Sequence, residues 1–165
     1  MTSKDPFATS GLPPIEPEPD NPSLHLELDH VAEADPKFLI LVADDSADNA
    51  ALISLFLQQE GYRVVNASNG EDAIKLASQT LPNLILMDIS MPALDGLAAT
   101  RRIREDERLR SIPVIAVTAF GTEGFKRAAY DVGVSGYLTK PIDLDRMRVL
   151  IARLLSPLGS GNLTA

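Results

Sequence analysis

The stretch Leu84-Ile85-Leu86-Met87-Asp88-Ile89-Ser90-Met91-Pro92-Ala93-Leu94-Asp95-Gly96 decides the fold. Four apolar residues run into a carboxylate, and turn residues follow closely. A short apolar run that is bounded by turn residues predicts a buried strand of a parallel sheet, here from Leu84 to Asp88. Asp88 would then lie at the carboxyl end of the strand, where open α/β sheets form their ligand crevices. Because Asp-Gly is a strong turn signal, we interpret Asp95-Gly96 as a turn without a further role.

The composition restricts the class of protein. The chain has 165 residues, of which 45% are apolar, and can therefore bury one domain-sized core. No apolar run is long enough to cross a bilayer, and the first residues lack the basic start and apolar centre of a signal peptide. The chain has no cysteine, so disulfide and thiol chemistry are excluded. We expect a cytoplasmic protein that does not associate with a membrane.

Residues 1–36 differ in composition from the remainder of the chain. They contain seven of the twelve prolines and eight acidic residues against one lysine. So few large apolar groups cannot offset the entropy of folding, and we predict a mostly disordered extension. We interpret it as a solubilising tail, and a docking or dimerisation arm is the alternative. Residues 37–165 carry fifteen acidic residues against fourteen basic ones, a balance that gives no electrostatic reason to bind nucleic acid.

Residues 37–155 alternate between apolar runs and segments with helical spacing, and a short polar tail of residues 156–165 follows. Five strands are predicted, each followed by a helix. In the first helix, from Ala47 to Glu60 with Ser46 as N-cap, we assign the apolar stripe to Asn49, Ile53, Phe56 and Leu57. This alternation requires a parallel sheet with helices on both faces. The predicted fold class is α/β, a doubly wound, flavodoxin-like (βα)5 domain with strand order 2-1-3-4-5.

Polar side chains follow four of the predicted strands, and they are Asp44-Asp45, Asp88, Thr118 and Lys140. They should converge, because the carboxyl ends of parallel strands share one edge of the sheet. Two like charges 4 Å apart repel by roughly 4 kcal/mol at an effective dielectric constant of about 20, so the acids must hold a proton or bind a cation. Oxygen ligands indicate Mg²⁺, and a lysine with a hydroxyl suits phosphoryl oxygens. The pattern predicts a Mg²⁺-assisted phosphoryl site with a carboxylate as nucleophile.

The segment from about Lys37 to Leu155 resembles the receiver domain of two-component response regulators, the CheY-like family. The resemblance rests on motifs that occur in the family's order and spacing: Asp44-Asp45, Met87 to Pro92 with Asp95-Gly96, Thr118-Ala119, and Tyr137 with Lys140-Pro141. Asp48-Asn49 and the segment Ala116 to Phe120 are also similar to the phosphorelay receivers of stand-alone regulators and hybrid kinases, such as the DivK-like type.

The resemblance implies a role for each acid of the predicted site. Asp88 would be the phosphoacceptor, which takes a phosphoryl group from a phosphohistidine and forms an acyl phosphate. Asp45, Asp88 and the backbone carbonyl of Ser90 would bind Mg²⁺ directly, and Asp44 would act largely through water.

The resemblance also implies roles for residues around the acids. Thr118 and Lys140 would hold the phosphoryl oxygens, and the Lys140-Pro141 peptide bond is expected to be cis. Tyr137 would be the switch aromatic, which turns inward when Thr118 moves toward the phosphate. Ser90 and Phe120 occupy the two positions that tune the lifetime of the phosphate, and the bulk of Phe120 would lengthen it by hindering the attacking water.

What the resemblance implies overall is a phosphorylation switch that turns over no free substrate and catalyses only its own aspartyl phosphorylation and dephosphorylation. Its partners would be a histidine kinase or a histidine phosphotransfer protein, and an unknown downstream protein. The four-helix bundle that presents the phosphohistidine would dock on the surface with Asn49 and Leu52, and Leu52 should be exposed. Phosphorylation would shift the surface of the fourth helix, fifth strand and last helix, in a monomer or a phosphorylation-dependent dimer.

Two alternatives to a stand-alone response regulator stay open. The chain is either a whole regulator or the C-terminal receiver of a hybrid histidine kinase, with the proline-rich segment as its former linker; Met1 argues mildly against the latter. The second alternative is a metal-dependent hydrolase of the phosphatase type. That class has a second Asp two residues after its nucleophile, and Ser90 at this position disfavours it. A transcription factor is disfavoured, because about ten residues after Leu155 cannot form a DNA-binding domain.

Overall fold

Residues 38–156 are described by the computed structural model, and strands and helices alternate along them as predicted. The strands are β1 (Leu39–Ala43), β2 (Arg63–Ala67), β3 (Leu84–Asp88), β4 (Val114–Thr118) and β5 (Gly136–Thr139). The helices are α1 (Ala47–Gln59), α2 (Gly70–Thr80), α3 (Gly96–Glu105), α4 (Glu123–Asp131) and α5 (Leu144–Leu155). The predictions for residues 1–36, and for all but the first residue of the tail 156–165, lie outside the described residues. Within residues 38–156, no helix has the length and hydropathy needed to cross a membrane.

The five strands form one parallel sheet in the order β2-β1-β3-β4-β5, which confirms the predicted fold class. Their register brings the carboxyl ends to one edge of the sheet. Ala43 at the end of β1 pairs with Met87, and Asp88 at the end of β3 pairs with Val117. This carboxyl edge therefore carries the residues that directly follow β1, β3, β4 and β5.

The sheet separates two apolar cores, because alternate residues of a strand point to opposite faces. One core contains Leu41, Ile85 and Met87 with residues of α2, α3 and α4. The other contains Ile40 and Leu86 with residues of α1 and α5. The residues of β1, β3 and β4 are buried on both faces, which explains why these strands appear in the sequence as uninterrupted apolar runs.

The buried face of α1 differs from the predicted stripe. The side chains that α1 buries lie on one face, where each residue is three or four positions from another, and are Ala50, Ile53, Ser54 and Leu57. Asn49 is exposed, and Phe56 is partly exposed. The assignment of Asn49 to the apolar stripe was therefore wrong, because the helical repeat that faces the sheet starts one residue later, at a small alanine.

Gly96, the first residue of α3, packs against the end of β3. A Cβ atom at this position would lie 2.1 Å from the carbonyl oxygen of Asp88 and 2.8 Å from the Cα atom of Ile89. The preceding residue, Asp95, is the N-cap of α3 and accepts a hydrogen bond of 2.8 Å from the Ala98 N–H. The interpretation of Asp95-Gly96 as a turn without a further role was therefore wrong, since the pair starts α3 and lets it approach Asp88.

We expect Gly96→Ala to destabilise the fold, because the added methyl group would overlap backbone atoms of β3. Overpacking of this kind typically costs about 1–3 kcal/mol in the free energy of unfolding. Urea denaturation followed by circular dichroism would measure the loss. Gly124→Ala is the matched control: no atom lies within 4 Å of a Cβ there, and alanine favours a helix over glycine by about 0.5–1 kcal/mol. Equal stability of the two variants would contradict the close approach at Gly96.

Candidate functional site

Three carboxylates lie together at the carboxyl edge of the sheet. One oxygen each of Asp44, Asp45 and Asp88 lies within 4.8 Å of the others. Asp44 and Asp45 follow β1, and Asp88 ends the neighbouring strand β3. Asp44 and Asp88 are buried, with 4% and 3% of their surface exposed, whereas Asp45 is exposed. The structure thus brings together the three acids that the sequence placed at this edge.

Lys140, which follows β5, is the cation of the cluster. Its Nζ atom donates to Oδ2 of Asp88 at 2.8 Å and to Oδ2 of Asp44 at 3.4 Å. Burial opposes the charge of Lys140, but the hydrogen bond to Asp88 and the charges of both acids outweigh burial and raise the pKa of Lys140 above its usual value. Lys140 therefore stays protonated beside the acids. One lysine against three carboxylates leaves an excess of negative charge at this edge. The Lys140-Pro141 peptide bond is cis, as the resemblance implies.

Backbone N–H groups fix the two buried acids. The N–H of Ser90 donates to Oδ1 of Asp88 at 3.0 Å, and the N–H of Ser46 donates to Oδ1 of Asp44 at 2.8 Å. Within residues 38–156, the carboxylate of Asp45 has no such donor. Each oxygen of the two buried acids therefore accepts one hydrogen bond and keeps a further lone pair, and Asp45 is the most open of the three acids to a ligand.

The donor set of this cluster fits a hard divalent cation. It consists of carboxylate oxygens without histidine or cysteine, and Mg²⁺ prefers oxygen ligands from one or two carboxylates together with water. Asp45 and Asp88 would hold such an ion directly. Asp44 would act largely through water, as the resemblance to receiver domains implies. The carbonyl of Ser90 as a further ligand stays a prediction.

Thr118 and Tyr137 are connected through the backbone of Phe120. Thr118 is fully buried at the end of β4, and its Oγ1 accepts a hydrogen bond of 3.1 Å from the N–H of Phe120. The hydroxyl of Tyr137 donates to the carbonyl oxygen of Phe120. Burial raises the pKa of Tyr137, and a hydrogen bond with Thr118 partly opposes this shift. This connection could not be predicted from the sequence motifs, because motifs consist of side chains and the connection runs through backbone groups.

The ring of Phe120 has a neighbour that no sequence motif indicates. It stacks on Phe125 of α4, with ring centroids 4.9 Å apart and an angle of 16° between the planes. Phe120 is half exposed. The Phe120-Phe125 spacing of five residues falls across the end of a loop and the start of a helix, so no periodic pattern marks the pair. The effect of Phe120 and Ser90 on the lifetime of a phosphate stays a prediction.

An apolar groove borders the carboxylates on the side of α1. Its apolar part is formed by Leu52, Ile53, Pro141, Ile142 and Leu144, and Asp44, Asn49 and Lys140 complete its lining. Leu52 is 61% exposed, as predicted. The two residues assigned to partner contact therefore lie beside the acidic cluster on one continuous surface.

The chain belongs to the response regulator receiver domain family, whose model matches residues 40–152. It is 37% identical over 107 residues to the polar-differentiation response regulator DivK of Brucella anthropi, which covers 65% of this chain and 87% of that protein. It is 39% identical over 116 residues to the DNA-binding dual master transcriptional regulator RpaA of Synechocystis sp., which covers 70% of this chain. The match spans about half of RpaA, 48% of its length.

Solved structures agree with the family. A response regulator from Chloroflexus aurantiacus is similar with a TM-score of 0.69 and 28% identity, over 72% of this chain and 97% of the other. The receiver domain of a sensor histidine kinase from Pseudomonas aeruginosa is similar with a TM-score of 0.67 and 34% identity, over the same shares of both chains. That structure has a magnesium ion coordinated in its active-site cleft. Receiver domains generally bind Mg²⁺ in an acidic pocket, and the cluster of three acids is the acidic pocket of this chain.

We expect Mg²⁺ to stabilise the folded protein, because a ligand that binds only the native state adds RT ln(1 + [Mg²⁺]/Kd) to the free energy of unfolding. At a hundredfold excess over Kd, the gain is about 2.7 kcal/mol. Asp45→Asn should lose most of this gain, since it removes the carboxylate that is open to the ion. Urea unfolding with and without Mg²⁺ measures the difference.

Glu107→Gln is the control for the loss of one negative charge. Glu107 is exposed in the loop before β4, at the opposite edge of the sheet from the acidic cluster. This variant should keep the full stabilisation by Mg²⁺. If Asp45→Asn gained as much from Mg²⁺ as the wild type does, Asp45 would not be a ligand.

Proposed function

We propose that this chain is a stand-alone response regulator that accepts a phosphoryl group from phosphohistidine on Asp88 and thereby switches its binding to a downstream protein. The observation that carries the proposal is the 2.8 Å contact between Lys140 Nζ and Asp88 Oδ2 within the acidic pocket. It supplies a carboxylate nucleophile and a neighbouring cation in one place. The protein would turn over no free substrate and would catalyse only its own phosphorylation and dephosphorylation.

The transfer needs a carboxylate that can reach phosphorus in line with its leaving group. An oxygen of Asp88 would attack the phosphorus atom, so that a P–O bond forms while the P–N bond to histidine breaks and the imidazole keeps the electron pair. Mg²⁺, when bound, supplies positive charge to the phosphoryl oxygens. Lys140 would move from the Asp88 carboxylate to a phosphoryl oxygen, and the Thr118 hydroxyl would donate to another.

The surroundings of Asp88 favour it over the other acids as the acceptor. Asp88 ends the central strand of the sheet and receives hydrogen bonds from both Ser90 and Lys140. Its position is therefore held before a substrate arrives, which is the preorganisation that phosphoryl transfer requires. Asp45 is exposed and has no hydrogen-bond donor among the described residues, so it suits cation binding better. Asp44 is held in the same way as Asp88, but its contact with Lys140 is longer, at 3.4 Å.

The interpretation as a stand-alone regulator is supported by how much of a relative's length the match covers. The similarity to the polar-differentiation response regulator DivK spans 87% of that protein. A receiver from a hybrid histidine kinase is the alternative, which the 34% identity to a receiver domain of a sensor histidine kinase supports. The full reading frame of the gene separates the two, since a hybrid kinase would carry a kinase domain in the same chain.

We expect incubation with acetyl phosphate and Mg²⁺ to add the mass of one phosphoryl group to the wild type and none to Asp88→Asn. Intact-protein mass spectrometry measures the addition. Asp95→Asn is the matched control, because it removes a charge from the same β3–α3 segment while asparagine keeps the N-cap of α3. Equal labelling of Asp88→Asn and the wild type, or no labelling of the wild type, would refute the proposed function.

The apolar groove at α1 is the proposed contact with the phosphohistidine donor. Leu52 is exposed beside Asp44 and Lys140, so a helical bundle that covers the groove would bring its histidine to the acidic pocket. Asn49 lies one turn before Leu52 on the same groove and would contact the same partner. A small phosphodonor such as acetyl phosphate would not contact this groove.

We expect Leu52→Asp to slow phosphorylation by a phosphorylated histidine phosphotransfer protein at least tenfold, because loss of an apolar anchor costs about 1.4 kcal/mol or more in such interfaces. Phosphorylation by acetyl phosphate should stay unchanged. Leu81→Asp is the control, since Leu81 is an exposed leucine at the end of α2, at the opposite edge of the sheet. If Leu52→Asp slowed phosphorylation by acetyl phosphate as much as phosphorylation by the phosphotransfer protein, the substitution would act on the acidic pocket itself and not on docking of the partner.

A further inference from the structure

Helix α4 is weakly packed onto the sheet. Of its nine residues only Ala129 is buried, whereas α1 buries four side chains. Gly124 lies in its first turn, and a Cβ atom there would contact nothing within 4 Å. An element with so little buried apolar surface opens or shifts at low free energy. The contacts that fix α4 to the rest of the domain therefore lie mainly at its two ends.

The N-terminal end of α4 is attached to the phosphorylation site through an aromatic stack. Phe125, in the first turn, stacks on Phe120 at 4.9 Å between ring centroids. The N–H of Phe125 donates to the Oγ1 of Thr122, the N-cap of α4. The backbone of Phe120 accepts from Tyr137 and donates to Thr118. A chain of contacts thus runs from Thr118 to the first turn of α4.

The C-terminal end of α4 is fixed to a different part of the domain. Arg104, at the end of α3, donates from Nε to the carbonyl oxygen of Gly133 at 2.8 Å and from Nη1 to that of Ile112 at 2.8 Å. Gly133 follows α4 with φ of 101°, and its N–H donates to the carbonyl of Tyr130. These bonds hold the loop after α4 to the segment before the amino-terminal end of β4, away from the carboxyl edge.

We propose that Phe125 is a positioning residue that couples Thr118 to α4 through its stack on Phe120, so that the N-terminal half of α4 responds to phosphorylation while its C-terminal end stays fixed by Arg104. The coupling rests on the proposed function, since a movement of Thr118 toward a phosphoryl group is what the stack transmits. It is reciprocal: the restraint that α4 places on Phe120 also holds Thr118 in position. A partner that binds α4 would in this way alter the phosphorylation site.

The contact is tested first without any ligand. Phe125→Ala should raise the exchange rate of the Phe120 amide, measured by NMR, about two- to twelvefold, the factor that an aromatic pair supplies. Phe125→Tyr keeps an aromatic ring and should restore the wild-type rate. Tyr130→Ala, which removes another exposed aromatic ring from the same helix, should leave the rate unchanged. An unchanged rate in Phe125→Ala, or an equal rise in Tyr130→Ala, would overturn the coupling.

The response of α4 is tested with beryllofluoride and Mg²⁺, which imitate the phosphoryl group. In the wild type, hydrogen exchange should change most in residues 122–127 and least near Gly133. Phe125→Ala should lose most of this change and Phe125→Tyr should keep it, while the strand β4 responds in both. A wild-type response in Phe125→Ala would refute the proposal. A wild type that does not bind beryllofluoride would instead refute the proposed function, and the ligand-free measurement would still decide the coupling.

Discussion

The gathering of three carboxylates at one edge, two of them bonded to the same lysine, is the constraint on which this structure depends. Two of the acids, Asp44 and Asp88, are almost fully buried. A buried charge is tolerated only when it is paired and hydrogen-bonded, and here Lys140 and the N–H groups of Ser46 and Ser90 meet that requirement. The remaining negative charge stays uncompensated within the described residues, and it gives the pocket its affinity for a cation. The parallel register of β1, β3 and β5 is what places these groups together.

The same topology directs the N-terminal ends of the helices toward the acidic pocket. In a parallel α/β fold every helix follows its strand, so the helices begin at the carboxyl edge. Each described helix has a side-chain N-cap, formed by Ser46, Asn69, Asp95, Thr122 and Asp143. The positive ends of the helix dipoles therefore face the edge that carries the acids. Gly96 completes this arrangement, because only a residue without Cβ lets α3 begin against the Asp88 carbonyl.

Much of this arrangement could be predicted from the sequence, because it follows from local patterns. The apolar run Leu84 to Asp88 is long enough for one strand and ends on a charge, so both its bounds and the position of Asp88 were predictable. The buried face of α1 was not, since Ala50 is too small to stand out against Asn49 in a pattern of apolar residues. The role of Gly96 depends on a distance between two elements, which no local pattern contains. The links through Phe120 and Arg104 depend on backbone carbonyls, which are the same at every residue.

The strength of those links determines what kind of switch the domain can be. An aromatic stack is worth about 0.5–1.5 kcal/mol, and each hydrogen bond of the Thr118-Phe120-Tyr137 chain contributes about as much. Contacts in series transmit no more than the weakest of them, about 0.5–1.5 kcal/mol, which overlaps the lower part of the usual range of coupling free energies between two sites. Converting a population from 1:99 to 99:1 needs about 5.5 kcal/mol. Under the proposed function, phosphorylation would therefore bias two states that both exist beforehand, and a partner would supply the remaining free energy by binding one of them.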